Sequence, residues 1–195
     1  TPVTMYERVV AACSRDYHCF RDVVTFNLDE YVGIESTHPG SYCTFMKQHL
    51  FDHIDIYRAN AHIPNGMAAD ADAECLRYER EIAAAGGLDL TFLGLGSNGH
   101  IGFNEPGTPF ESRTRVVALT ESTRAANAPL FPDGDVPTHA ITMGIGTILE
   151  SKSIVLLASG EKKRPAIERL RRGEISEEFP ASALWKHPDV TVLTA

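Results

Sequence analysis

Residues 88–107 read Leu-Asp-Leu-Thr-Phe-Leu-Gly-Leu-Gly-Ser-Asn-Gly-His-Ile-Gly-Phe-Asn-Glu-Pro-Gly. The apolar run over 88–95 has the length and composition of a buried strand, and the glycine-rich stretch after it reads as a tight loop. Open α/β sheets place their ligands at the ends of such strands. This loop carries an imidazole, a carboxylate and two amides, so His100, Glu105, Asn98 and Asn104 are the first candidates for chemistry. A histidine exchanges a proton near neutral pH, and a carboxylate close by in sequence can fix its tautomer and stabilise an imidazolium.

The glycines Gly94, Gly96 and Gly99 also spell the G-x-G-x-x-G dinucleotide fingerprint. That fingerprint works only where a helix starts at the loop and aims its N-terminus at a pyrophosphate. Gly102, Pro106, Gly107 and Pro109 forbid a long helix here, so proton transfer fits the loop better than nicotinamide binding.

Working outward, strand and helix patterns alternate. Thr1 and Pro2 open an amphipathic helix over 3–13, with Thr as N-cap and Pro at the first helical position. A β-branched and aromatic strand over 23–26 is followed by the acidic pair Asp29 and Glu30. Helices are expected over 42–50 and 70–85, the second ending at Gly86 and Gly87. Beyond the loop come strands over 115–119, 153–158 and 190–193, helices over 121–130, 141–149 and 161–172, and a surface turn over 131–137. The expected fold class is therefore α/β, a Rossmann-like, mostly parallel sheet with helices on both faces. At 195 residues and 43% hydrophobic content, one domain over 1–195 is the expectation. An α/β domain seldom begins at a helix, so the first strand is expected to lie upstream and the domain to be N-terminally incomplete.

Composition narrows the partners. A net charge of −8 and a pI near 5.4 argue against a nucleic-acid groove, which needs clustered Lys and Arg, but leave a small anionic substrate open. Cys13, Cys19, Cys43 and Cys75 form no C-x-x-C pair and no apolar signal segment precedes them. They are expected to be buried thiols of a reduced, cytoplasmic protein. No apolar run is long enough to span a bilayer. The remaining histidines show no metal-ligand spacing, and homo-oligomerisation is left open.

Outside the loop, Asp29 and Glu30 are expected on the same rim of the sheet as His100 if their strands run parallel, as a second acid/base; a turn or helix cap is the alternative. Lys162 opens the helix after strand 153–158, where its ammonium and the helix N-terminus suit a phosphate, unless it is an ordinary solvated lysine. Arg113, Arg115 and Arg124 read as surface charges.

Together the segment Phe26-Asn27-Leu28-Asp29-Glu30-Tyr31, residues 94–106, residues 120–127 and Lys162 resemble the glucosamine-6-phosphate deaminase family, also called glucosamine-6-phosphate isomerases. The order matches over nearly the whole chain, and Asn-Gly-His-Ile-Gly-Phe-Asn-Glu-Pro is a far more specific motif than the glycine pattern inside it. The resemblance implies conversion of glucosamine 6-phosphate and water to fructose 6-phosphate and ammonia, in amino-sugar catabolism and without metal or organic cofactor. It implies that His100 opens the pyranose ring by moving the anomeric hydroxyl proton toward the ring oxygen, oriented by Asn98 and Glu105. Asp29 would shuttle a proton between C2 and C1, and Gly94, Lys162 and Thr1 would bind the substrate.

The chain departs from the family pattern in several places. Asn98 stands where some members have Asp, so offsetting the charge of His100 falls to Glu105 alone. Pro129 stands where the family commonly has a phosphate-binding Arg. The family's phosphate turn should precede Thr1. Val117 replaces a Lys of allosterically regulated relatives, so regulation of that kind is not expected. Two other readings follow: a 6-phosphogluconolactonase-like hydrolase, whose loop shares Gly-His but lacks Phe-Asn-Glu-Pro, and a non-catalytic phosphosugar-binding fragment. The choice between glucosamine and galactosamine 6-phosphate turns on side-chain geometry.

Overall fold

The computed structural model describes residues 2–16, 20–132 and 134–194. In chain order its helices are α1 (Val3–Asp16), α2 (Tyr42–His49), α3 (Ala71–Ala84), α4 (Glu121–Asn127), α5 (Ile145–Leu149) and α6 (Arg164–Arg171). Its strands are β1 (Thr25–Phe26), β2 (Asp29–Tyr31), β3 (Ala61–His62), β4 (Leu90–Gly94), β5 (Arg115–Ala118), β6 (His139–Thr142), β7 (Ser153–Ala158) and β8 (Val190–Thr194). These elements gather into two compact units, Leu76–Arg115 with Thr142–Ala195, and Pro2–Cys75 with Val116–Ile141.

The first unit is built on the sheet β4-β7-β8, whose strands are all parallel. Phe92 pairs with Val155 and Val155 with Thr191, so side chains at paired positions share a face. Thr91, Leu93, Ile154, Leu156 and Ala158 line the buried face, while Leu90, Phe92 and Leu193 on the other are exposed. The run at 88–95 is thus a strand buried on one face rather than on both. Because the strands are parallel, β4 and β7 leave the sheet at the same edge, and the loop of His100 and the segment of Lys162 both start there.

Glu79 of α3 ties this unit together. Its carboxylate accepts from the Thr114 amide at 2.8 Å, from the Thr147 hydroxyl of α5 at 2.6 Å and from Arg113 at 2.7 Å, and Arg113 also reaches Glu150 at 2.6 Å. Burial pushes its acid strength down, but the hydroxyls of Thr114 and Thr147, the Thr114 amide and Arg113 outweigh it and hold the carboxyl below the ordinary value of 4.5. A carboxyl more acidic when folded contributes stability above the unfolded pKa and loses it as pH falls through the lower folded value. Glu79→Gln is expected to be about 1–3 kcal/mol less stable than the parent at neutral pH. Urea unfolding should show the gap closing below pH 4.5; a gap independent of pH would contradict this.

The second unit holds the pair β1-β3, parallel with Phe26 opposite His62, and the sheet β2-β6-β5. The Val32 amide donates to His139 and the Leu119 amide to Thr138, so the far ends of β2 and β5 both meet the start of β6. Met46, Leu50, Phe51 and Ile56 form its core, packed by Tyr6, Val9 and Val10 of α1. Local signals behave as their chemistry dictates. The Ser41 hydroxyl caps α2 by accepting from Thr44 at 3.1 Å, Asp70 accepts from Ala73 at 2.9 Å before α3, and Thr120 accepts from Thr123 at 3.2 Å before α4.

Several expectations are corrected. The segment 141–149 is not one helix: His139–Thr142 is a strand with Ala140, Ile141 and Thr142 fully buried, and α5 begins only after Gly144. The acidic pair does not end the first strand, which is only Thr25–Phe26, but opens β2 in a different sheet. Phe131 does open the expected turn, its carbonyl accepting from the Gly134 amide at 3.0 Å, but its side chain is not on the surface: it is 2% exposed, edge-on to Tyr31 and stacked on His38. Cys75 is buried, but Cys13 and Cys43 are only half-buried, all three as free thiols; Cys19 lies outside the described residues. Among the described residues, no helix is long and apolar enough to cross a membrane.

Candidate active site

The loop after β4 turns back on itself. The Gly96 amide donates to the His100 carbonyl at 2.9 Å and the Gly99 amide to the Gly96 carbonyl at 3.1 Å. A Cβ at Gly96 would come within 2.4 Å of the His100 ring, so only glycine lets the imidazole lie against the backbone. Gly99 has φ +91° and faces the Phe179 ring, which a Cβ would overlap, while its carbonyl accepts from Ala181 at 2.8 Å. These glycines shape a turn for a side chain rather than a cradle for a pyrophosphate.

Inside that turn Asn98, His100 and Glu105 form one connected group. Asn98 Nδ2 donates to Glu105 Oε2 at 2.7 Å, and Asn98 Oδ1 accepts from the His100 amide at 3.2 Å and meets His100 Nδ1 at 2.7 Å. The carboxylate can only accept and the backbone amide can only donate, so the orientation of the Asn98 amide is fixed. Nδ1 of His100 must then carry the proton, which leaves the lone pair on Nε2. The tautomer is therefore set by Asn98, not by Glu105 directly as the spacing suggested.

Glu105 Oε2 lies 3.7 Å from His100 Nδ1, beyond hydrogen-bond range but close enough for charge. Opposite unit charges near this distance attract by about 4 kcal/mol at an effective dielectric of 20, against about 1 kcal/mol in bulk water. The two side chains are 34% and 22% exposed, so solvent screens the charge interaction between them. The neutral amide passes orientation along the chain, and the carboxylate behind it supplies charge.

Asn104 belongs to the scaffold. It is 0% exposed; its Nδ2 donates to the Ile101 and Met143 carbonyls at 2.9 Å each, and its Oδ1 accepts from Arg115 at 2.9 Å. Arg113 and Arg115 are thus tied into the structure rather than loose surface charges. Gly94 ends β4 opposite Leu157, and Lys162 lies in the short turn of helix Glu161–Lys163 after β7, exposed. Both stand at the sheet edge from which the His100 loop departs. Thr1 lies outside the described residues.

Asp29 belongs to the other unit, half-buried at the start of β2. Glu30, its neighbour, is 3% exposed and takes the cap role that sequence left as an alternative. Its Oε1 accepts from the Tyr31 amide at 2.9 Å and the Tyr42 amide at 3.1 Å, and its Oε2 from the Cys43 amide at 3.1 Å. Burial pushes the Glu30 carboxyl up, partly offset by those three amides and the Ser41 hydroxyl. The Tyr31 and Tyr42 rings stack at 5.3 Å and 10°. Burial pushes the Tyr31 hydroxyl up to about 12, with the Tyr42 hydroxyl pulling the other way and the charges of Asp29 and Glu30 adding to the rise; the Tyr42 hydroxyl is also pushed up, by burial first and then by the charge of Asp29. A cavity of about 300 Å³ is walled by Glu30, Ile34, Cys43, Ala61, Ile63 and Pro64; Glu30 is the one sequence candidate that lines it.

A histidine held by an amide and a carboxylate thus stands in a loop at the carboxyl edge of a parallel sheet. Residues 1–193 match the family model of glucosamine-6-phosphate isomerases/6-phosphogluconolactonase. The glucosamine-6-phosphate deaminase of Lysinibacillus sphaericus is 57% identical over 99% of this chain and 82% of its own. A solved structure of a monomeric glucosamine-6-phosphate deaminase superposes with a TM-score of 0.96 at 50% identity, over 99% of this chain and 80% of that one. The 6-phosphogluconolactonase of Thermotoga maritima shares the fold alone, with a TM-score of 0.76 at 18% identity over 100% of this chain and 80% of its own. The chain belongs to the glucosamine-6-phosphate deaminase family.

Proposed function

We propose that the chain converts glucosamine 6-phosphate and water to fructose 6-phosphate and ammonia. The observation that carries this reading is the Asn98-His100-Glu105 group, in which Nδ1 is capped by an amide and Nε2 keeps its lone pair in a partly exposed ring. Such an imidazole can take a proton at Nε2 and return it a few atoms away. In the proposed course His100 takes the anomeric hydroxyl proton and delivers it to the ring oxygen, opening the pyranose to the aldehyde. Glu105 supports the transient imidazolium, and Asn98 holds the ring in place.

Asp29 then removes the C2 proton while the C2 ammonium gives up one proton to the aldehyde oxygen, forming an enolamine, and the protonated Asp29 returns its proton to C1, leaving an iminium at C2. Water adds to that carbon and ammonia departs, so the atoms of one water and one amino sugar are all accounted for. Two proton transfers at different carbons and oxygens need separate acid/base groups, which is why neither His100 nor Asp29 suffices alone. Gly94, Lys162 and Thr1 are assigned to the substrate, with the Lys162 ammonium as the partner of the phosphate. Free thiols at Cys13 and Cys43 suit a reducing compartment and hence a cytoplasmic enzyme.

A side-by-side assay separates this reading from lactone hydrolysis. Ammonia release from glucosamine 6-phosphate, with no acid formed from 6-phosphogluconolactone, is the expected result. Lactone hydrolysis without ammonia would reverse it, and binding of the phosphosugar without turnover would point to a non-catalytic role.

A further inference from the structure

The Glu30 carboxylate is spent on three backbone amides, and two of them belong to residues whose rings stack. A single oxygen, Oε1, receives both the Tyr31 and the Tyr42 amide, while Oε2 receives Cys43, so one side chain fastens the end of β2 to the first turn of α2. With 3% exposure there is little water to replace those bonds if the acceptor is lost. The rings of Tyr31 and Tyr42 stack at 5.3 Å between centroids and 10° from parallel, and Asp29 directly precedes Glu30 at the start of the same strand. The Ser41 hydroxyl takes only the Thr44 amide, at 3.1 Å, and Glu30 takes the Tyr42 and Cys43 amides that Ser41 leaves, so the same carboxylate serves both the helix start and the strand.

From this geometry we infer that Glu30 is a positioning residue for Asp29: by holding the Tyr31, Tyr42 and Cys43 amides it fixes against α2 the three-residue strand that Asp29 opens. The inference rests on the proposed role of Asp29 as the base. Glu30 touches no reacting atom; it acts through the backbone of β2. Its effect belongs in the chemical step rather than in substrate affinity, because what it sets is the aim of a proton acceptor.

Glu30→Gln replaces one acceptor oxygen by an amide that must face a backbone N–H. Displacing a reacting group by about an ångström costs on the order of 100-fold, so kcat for ammonia release from glucosamine 6-phosphate is expected to fall by about 10- to 100-fold with KM changed less than about twofold. Glu30→Asp keeps both acceptors on a shorter stem and is expected to fall between the parent and Glu30→Gln, again at constant KM. Both are assayed well below their own unfolding temperatures, measured on the same samples. Equal kcat in all three proteins, whatever happens to thermal stability, overturns the inference, as does a loss carried by KM alone. If Glu30→Gln does not fold, Glu30→Asp decides by the same criterion. A parent protein that releases no ammonia would overturn the functional reading itself, which a parent active alongside equally active variants would not.

Discussion

Asp29→Asn is expected to lower ammonia release from glucosamine 6-phosphate by about 10³-fold or more, near the upper range for loss of a general base. The amide has nearly the shape of the carboxylate but does not accept a carbon-bound proton, so the enolamine does not form. The substitution should be tolerated structurally, because Asp29 is half-buried at a strand start and the brace on β2 is carried by Glu30. Two measurements check the expectation. Steady-state kcat should collapse with KM little changed, and exchange of the C2 hydrogen with deuterated solvent should stop. Exchange at the parent rate would remove Asp29 from the role assigned to it.

His100→Gln is expected to act on a different step. Glutamine can reach toward Asn98 but does not take up and release a proton, so opening of the pyranose should slow by about 10²- to 10³-fold. The diagnostic comparison uses an analogue lacking the C5 hydroxyl, which cannot close the pyranose ring. The variant and the parent should process that analogue at similar rates while differing widely on glucosamine 6-phosphate. Equal losses on both substrates would mean that His100 serves the later steps or the loop's structure instead. The capped Nδ1 gives this prediction its physical basis: with Asn98 holding one nitrogen at 2.7 Å, Nε2 is the nitrogen left for substrate.

How much of this was legible in the sequence differs from element to element. β4 and the loop after it were readable because an apolar run meets glycines and prolines that exclude a helix, and β7 matched its expected bounds because β-branched and aliphatic residues fill it without interruption. The segment 141–149 misled because Ile141, Ile145 and Ile148 recur at helical spacing, yet Ile141 lies in a strand whose residues from Ala140 to Thr142 are fully buried. Periodicity sees spacing along the chain and not the neighbouring strands that bury both faces. β2 was missed for a related reason. Three residues, two of them acidic, carry no strand signal until β6 lies beside them.

The site shows the same division. Asn98, His100 and Glu105 lie within eight residues, and local spacing was enough to bring them together, although the order of contacts, with the amide between imidazole and carboxylate, needed coordinates. Asn104 looked equally polar from sequence, and its full burial under Arg115 and the Met143 carbonyl comes from residues far along the chain. Glu30 and Asp29 are adjacent and chemically alike. Alternation along β2 gives them different surroundings, and only the distant Tyr42 and Cys43 amides reveal which of the two is committed to structure.

The central claim is that this chain breaks the carbon-nitrogen bond of an amino-sugar phosphate by aldose-ketose chemistry. Its most direct test is the stoichiometry of the purified protein acting on glucosamine 6-phosphate, with ammonia and fructose 6-phosphate measured in the same reaction. The account predicts that the two appear in equal amounts and at the same rate, and that both vanish together in Asp29→Asn. Fructose 6-phosphate absent while ammonia accumulates, or neither product forming under conditions where the sugar phosphate binds, would contradict it.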